Sequence, residues 1–498
     1  MQSQFQFFCL QRTFKFQFYF LSDFSNDSDS SKTEMRFLFF ILILFSTALN
    51  AKNPKTMHGV FPAQDYRQFW FLYESEKRPG QNQWFFRPFY SHYKEEQSAH
   101  QFNTSLYPLY YREKTNHWSK WTFMFLFGQD TTVHPDTGED DDLALSPLFQ
   151  WGRGETDRDR YFAVFPFFGN INSKLGWQKI HYAMFPIYTS WEHKDFKAHS
   201  FLWPLTMYGT SDVRQEYRVF PFFTKKTHIG KFEHYNVFWP FVSWGRDSLD
   251  KREPTSYIFL WLLYAHKNSY YGNMKSFGIM PVLGSMALFS WGHDRRSSET
   301  NVNLLFFLIQ YGSSEDKDYR KHIFFPFYGY SRFASKEFRF ITPLFIKLNT
   351  DSYLVESESW YFLPVFHYNR EYFRKEERTD TYYKVWPFWK WHKDTEGNLS
   401  TNLLSLFPFR SESMERLWEP VWSVFEYKNQ INGEKRVSLL MRLYSQRWSE
   451  EEFHFYVPLV MDYSNTKDSF SMKFLYGLLG YEKKDSSSTY QFLWFLKI

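Results

Sequence analysis

The chain has a single cysteine in 498 residues, Cys9. A protein processed beyond that position has no thiol, no disulfide and no cysteine-based metal site. Long apolar runs are missing too. A membrane-spanning helix needs about 20 consecutive apolar residues, and mean hydropathy is −0.54; past the leader no such run occurs, which excludes a helical membrane protein. Charge of one sign is also lacking. Fifty-nine Lys and Arg against 54 Asp and Glu leave a formal +5, with no cationic block suited to nucleic acid. The glycine-rich phosphate loop, the His-Glu-x-x-His helix and the Gly-x-Ser-x-Gly elbow are absent, which argues against those families alone.

Aromatics and a repeat are present in abundance. Phe, Tyr and Trp number 61, 35 and 20 and make up 23% of the chain. Sixteen of the 21 prolines lie in short apolar or aromatic segments with an apolar residue directly after the proline, as in Val164-Phe165-Pro166-Phe167-Phe168, Met184-Phe185-Pro186-Ile187-Tyr188 and Val219-Phe220-Pro221-Phe222-Phe223. From Pro166 to Pro240 successive prolines are 20, 18, 17 and 19 residues apart. A fixed period of this size marks a repeat architecture.

Residues 1–34 read as an upstream extension and Met35 as a plausible start. Met35-Arg36, the apolar run 37–45 and the small residues around Ala48 and Ala51 have the n-region, h-region and cleavage site of an export signal, so 35–51 is assigned as a signal peptide. The apolar run is too short for an anchor. The remainder, 52–498, reads as a single β-repeat domain, because no compositional break interrupts the period.

Each repeat reads as one strand and one turn. β-preferring residues bounded by turn formers give the strand signal, and Asn432-Gly433 is the strongest hairpin dipeptide. Segments 121–127, 257–264, 303–311, 437–444, 474–480 and 492–498 keep the spacing without proline, and the sum predicts about 20 to 24 antiparallel strands. Side chains alternate along a strand, so offsets from proline assign faces. The +1 residue is apolar in all sixteen units, +2 is aromatic in eleven, and +4 is aromatic in six, including Trp151, Tyr208 and Trp244. The +3 residue is often small or polar, as in Gly169, Thr189, His367 and Lys390. One face is therefore aromatic and the other mixed.

An export signal, many short strands, a cysteine-free mature chain and the alternation Tyr490, Phe492, Trp494, Leu496, Ile498 at the C-terminus resemble outer-membrane β-barrel proteins at class level. The ending on Ile departs from the usual terminal aromatic. The resemblance implies an all-β closed barrel in the outer membrane of a Gram-negative-type envelope, acting without catalysis as pore, transporter or envelope scaffold. Its partners would be membrane lipid and other envelope components. Prolines near strand centres oppose this, since each removes a ladder donor. A soluble periplasmic or surface-exposed β-repeat or solenoid is the alternative.

No catalytic, cofactor-binding or metal-binding residue is assigned, and no cofactor. The acidic stretch Asp136-Thr137-Gly138-Glu139-Asp140-Asp141-Asp142, in the longest connection at 129–142, does not match an EF-hand and reads as a solvated loop. His193 with His199, and Glu450 with Glu451 and Glu452, are likewise read without a role.

Overall fold

The computed structural model describes residues 63–498 except 135–137, 147, 158, 173–176, 284–285, 343, 409 and 485–486. Residues 1–34, read as an extension, and 35–51, read as an export signal, lie outside the described residues. Those described contain 44 strands and one short helix, α1 (Glu412–Trp418). The chain divides into two compact units, one of residues 126–334 and the other of 63–125 together with Ser335–Ile498. Within each unit, strands pair antiparallel with their neighbours in sequence, from Asp65–Phe69 with Tyr73–Arg78 onward.

The all-β meander expected from the repeat is present, and its strand count is double the expected one. Proline is the reason. The segments 165–167, 220–222 and 386–388 are tight turns rather than strand centres, and each joins two strands of four to eight residues. A period of about 20 residues therefore holds a whole hairpin and a second, polar turn. Proline in a turn forfeits no ladder bond, which removes the objection raised by its frequency. Pro281 is an exception: it lies inside the strand Met274–Leu283 at a register shift, where a bulge tolerates it. The proline-free segments behave alike, with 261–263, 440–443 and 493–495 forming the same apolar turns.

Three further expectations change. The C-terminal alternation is not one strand: Ser487–Phe492 turns at 493–495 into the two-residue strand Leu496–Lys497, and Ile498 and Tyr490 exchange backbone hydrogen bonds. The connection at 129–142 is mostly ladder, with Phe127–His134 paired to Gly138–Leu145; Asp136 and Thr137 lie outside the described residues. Closure is the third. Among the described residues no ladder joins Asp65–Phe69 to Leu496–Lys497, so the sheet ends in two edges. The C-terminal residues are already spent on their own hairpin.

Face assignment follows the proline offsets. Ser91, Gly169, Thr189, Met207, Gly329, His367 and Lys390, all at +3, are buried, while +2 and +4 residues such as Phe168, Tyr208, Phe223 and Trp244 are exposed. In residues 126–334 the buried face is closed by rings lying over glycines. Tyr161 covers Gly152, Tyr182 covers Gly169 and Phe196 covers Gly209, and a Cβ at any of these glycines would collide with the ring. Ring-over-glycine packing gives that face an apolar cover.

Candidate functional site

In the unit formed by 63–125 and Ser335–Ile498 the buried face is ionic. The strand Tyr73–Arg78 alternates so that Glu74, Glu76 and Arg78 point inward and Tyr73, Ser75 and Lys77 outward. Glu74 accepts hydrogen bonds from three guanidiniums: Arg436 at 2.9 Å, Arg442 at 2.7 Å, and Arg87. Arg442 also chelates Glu426, with Nη2 at 2.9 Å and Nε at 3.2 Å. Glu76 takes Arg78 and the amide of Gln83 at 3.0 Å. Glu434 pairs with Arg436 at 3.1 Å and Arg78 at 3.4 Å. Arg436 and Arg447 stack on the Tyr66 ring, 4.1 and 4.7 Å from its centroid.

Burial would raise the Glu74 carboxyl, but Arg442, Arg87 and Arg436 outweigh it and hold the group well below the usual carboxylate range. Glu426 and Glu76 are lowered by the same opposition of burial and guanidinium charge. Lys428 is the odd cation. Burial and the nearby Arg436 and Arg442, against the pull of Glu74 and Glu426, bring its amine down to about 8.

A second ionic group holds α1 to the sheet. Glu415 accepts from Tyr382 at 2.7 Å, Lys384 at 3.2 Å and Lys390 at 3.1 Å. Lys390 also reaches Glu419, which Asn402 contacts at 3.1 Å and to which Ser405 donates. Against the cost of burial, Lys390 and Lys384 hold Glu415 at about 2. Glu419 is instead raised by burial, with Glu415 adding to the rise against the pull of Lys390. On its other side Leu417 packs with Phe85, Tyr93, Phe102 and Tyr107, and the Trp418 indole donates to the Tyr107 carbonyl at 3.2 Å. His367 stacks on Tyr361 at 4.4 Å, with both ring nitrogens buried and lacking a hydrogen bond. Burial, with Arg410 and Lys384 nearby, lowers it to about 4, so it is neutral at pH 7.

This network is structural in its chemistry. Its carboxylates are spent on cations of the same network. Among the described residues no three His, Cys, Asp or Glu side chains gather as a metal site. The residues singled out in the sequence are not brought together either. Asp141 accepts from Gln129 at 2.6 Å and Thr131 at 2.9 Å across its hairpin, Asp142 accepts from Tyr161, and His199 bonds the Tyr188 hydroxyl at 2.9 Å. Glu452 pairs with Arg447. The ionic core was missed because its charges are dispersed in sequence. The i, i+2, i+4 spacing of Glu74, Glu76 and Arg78 is the local signal that could have exposed it.

The second candidate is the row of apolar turns. Since every second turn is of this kind, all of them lie along one margin of their unit's meander. Phe167, Phe222, Phe241 and Phe327 are each more than half exposed. In the turns 165–167, 184–187, 202–205, 220–222, 238–241, 261–263 and 325–327 there is no charged residue. Turns of the other unit include Arg87 and Arg442, but both side chains fold inward to Glu74. The opposite turns include charged pairs, as in Lys194-Asp195, Arg295-Arg296 and Glu315-Asp316, together with the exposed Ile229, Tyr270 and Tyr271.

No protein-family model matches the chain, and no curated protein matches it.

Proposed function

We propose that the chain is a non-enzymatic scaffold of the cell envelope that rests on membrane lipid through its apolar turns. The reading is carried by the exposed apolar side chains: dozens of large hydrophobic residues face outward, while a cluster of charged ones is buried on the inward face. A monomer in water rarely shows a contiguous apolar patch above about 300–600 Å², and exposed Phe, Leu and Trp side chains recur in turn after turn along one margin. The export signal read at 35–51 supports delivery to the envelope, and a Gram-negative-type outer membrane is the proposed destination.

A pore or transporter is less well supported. A tilted spanning strand needs roughly 9–11 residues, whereas typical strands here, such as Phe223–His228 and Phe232–Val237, have six. The free sheet edges favour one competing reading, the soluble β-repeat. Expression from Met35 in a Gram-negative host, followed by alkaline extraction and a boiled/unboiled gel comparison, separates the three. The scaffold predicts retention in the membrane fraction without a heat-dependent shift. A shift would mark a closed barrel, and release into the soluble fraction would leave the soluble repeat.

A further inference from the structure

Polarity along the outward face is graded. In hairpin after hairpin the +1 residue at the turn is apolar and exposed: Phe167, Ile187, Phe222, Phe241, Phe327, Phe388. The +2 residue is aromatic and faces an apolar partner on the entering strand, as in Val164 with Phe168, Val219 with Phe223, Phe324 with Tyr328 and Val385 with Trp389. In part of the hairpins an amphipathic ring at +4 is followed by an exposed cation at +6, as in Trp244 with Arg246, Tyr330 with Arg332, Tyr368 with Arg370 and Trp391 with Lys393; elsewhere +4 is polar, as in Asn170, Ser190 and Lys225, and +6 is Asn172, Glu192 or Thr227. Where it holds, the order apolar, aromatic, cationic is that of a lipid leaflet read from acyl chain to headgroup phosphate.

We infer that the turns enter one leaflet of a phospholipid bilayer to a depth of about 10 Å, stop at the +4 aromatic belt, and leave the opposite turns in water. The depth follows from a rise of about 3.3 Å per residue between +1 and +4. It is less than the half-thickness of a hydrocarbon core of about 30 Å, so the second leaflet is not reached. The extent of the row points to a membrane over a protein groove. Apolar turns recur every second strand, about 9–10 Å apart at a strand spacing of about 4.8 Å, and run the length of residues 126–334. A lipid surface supplies an apolar phase continuous over that distance. This inference rests on the lipid-bound reading above.

The test uses the full chain with Cys9→Ser and one reporter cysteine at a time: Phe327→Cys at a turn, Tyr330→Cys in the belt, Arg332→Cys above it and Glu315→Cys at the polar margin. Each is labelled with an environment-sensitive fluorophore on phosphatidylcholine vesicles carrying spin labels at shallow or deep acyl positions. Matching circular dichroism between variants establishes that each is folded. One-leaflet immersion predicts acyl quenching at 327, shallow quenching at 330, and quenching by aqueous iodide alone at 332 and 315. Acyl quenching at both 327 and 315 would mean spanning and would overturn the inference. Vesicle binding with 327 open to iodide would mean docking by another surface and would also overturn it. Failure to bind vesicles at all would sink the lipid-bound reading itself along with the inference.

Discussion

The two units share their outward face and differ in the inward one. Both present apolar turns at one margin, aromatics at +2 and in part at +4, and charged residues among the turns of the other margin. Inward, residues 126–334 close the sheet with tyrosine and phenylalanine rings over glycines, with Glu216 held between Arg214 at 3.0 Å and Arg218 at 3.4 Å as a small ionic cluster. The other unit inserts α1 and fills the face with paired Glu, Arg and Lys. The contrast separates two demands. Under the proposed lipid contact the outward pattern recurs because it answers one surrounding medium, while the inward pattern has only to satisfy itself and does so by two unrelated chemistries.

Removing one ionic partner should separate the units most sharply. Glu74→Ala leaves three guanidiniums buried without their shared anion, and breaking such a pair costs about 3–5 kcal/mol. Urea unfolding followed by hydrogen exchange should show that loss in Tyr73–Arg78 and Lys435–Leu439, with protection in 126–334 retained. Equal loss in both units would mean that the ionic core is not a local device. The reciprocal change is Gly169→Ala. Its Cβ would overlap the Tyr182 ring, at about 1–3 kcal/mol of overpacking, now read as faster exchange in 126–334. A neutral result would deny the ring-over-glycine account.

Acid and base probe the ionic face through Glu415 and Lys428. Because Glu415 is lowered in the fold, its contribution is present above the unfolded carboxylate range and is lost as pH falls toward about 2. Lys428 acts in the opposite sense. The unfolded chain holds that proton more tightly, so stability should rise as pH climbs from about 8 toward the ordinary lysine value. Lys428→Met should flatten that rise in chemical melts at pH 7.5, 9 and 10. A rise of unchanged size in the variant would assign it elsewhere. The smallest effect on stability belongs to the turns. Phe222→Asp, at an exposed position, should change it by no more than about 0.5 kcal/mol, and a larger loss would show that the turn packs against protein.

Much of this architecture is legible in the amino-acid pattern. The period, the all-β class and the alternation of aromatic and mixed faces followed from proline offsets, because a strand has only two faces. Strand number did not follow. Apolar residues on both sides of Pro166 or Pro221 look the same whether they form a strand centre or a tight turn, and a turn that is apolar contradicts the ordinary link between loops and polarity. The ionic core was hidden for another reason. Glu74 meets Arg436 and Arg442 across more than 360 residues of chain, and pairing over such separations leaves no local periodicity.

Flotation on neutral phosphatidylcholine vesicles tests the central claim most directly, comparing the native chain with a variant carrying Phe167→Asp, Phe222→Asp and Phe241→Asp. With secondary structure equal in the two, the account predicts that the native chain floats at both low and high salt and that the variant floats several-fold less. Equal flotation of both, or binding abolished by salt alone, would contradict the assignment of the apolar turns to lipid.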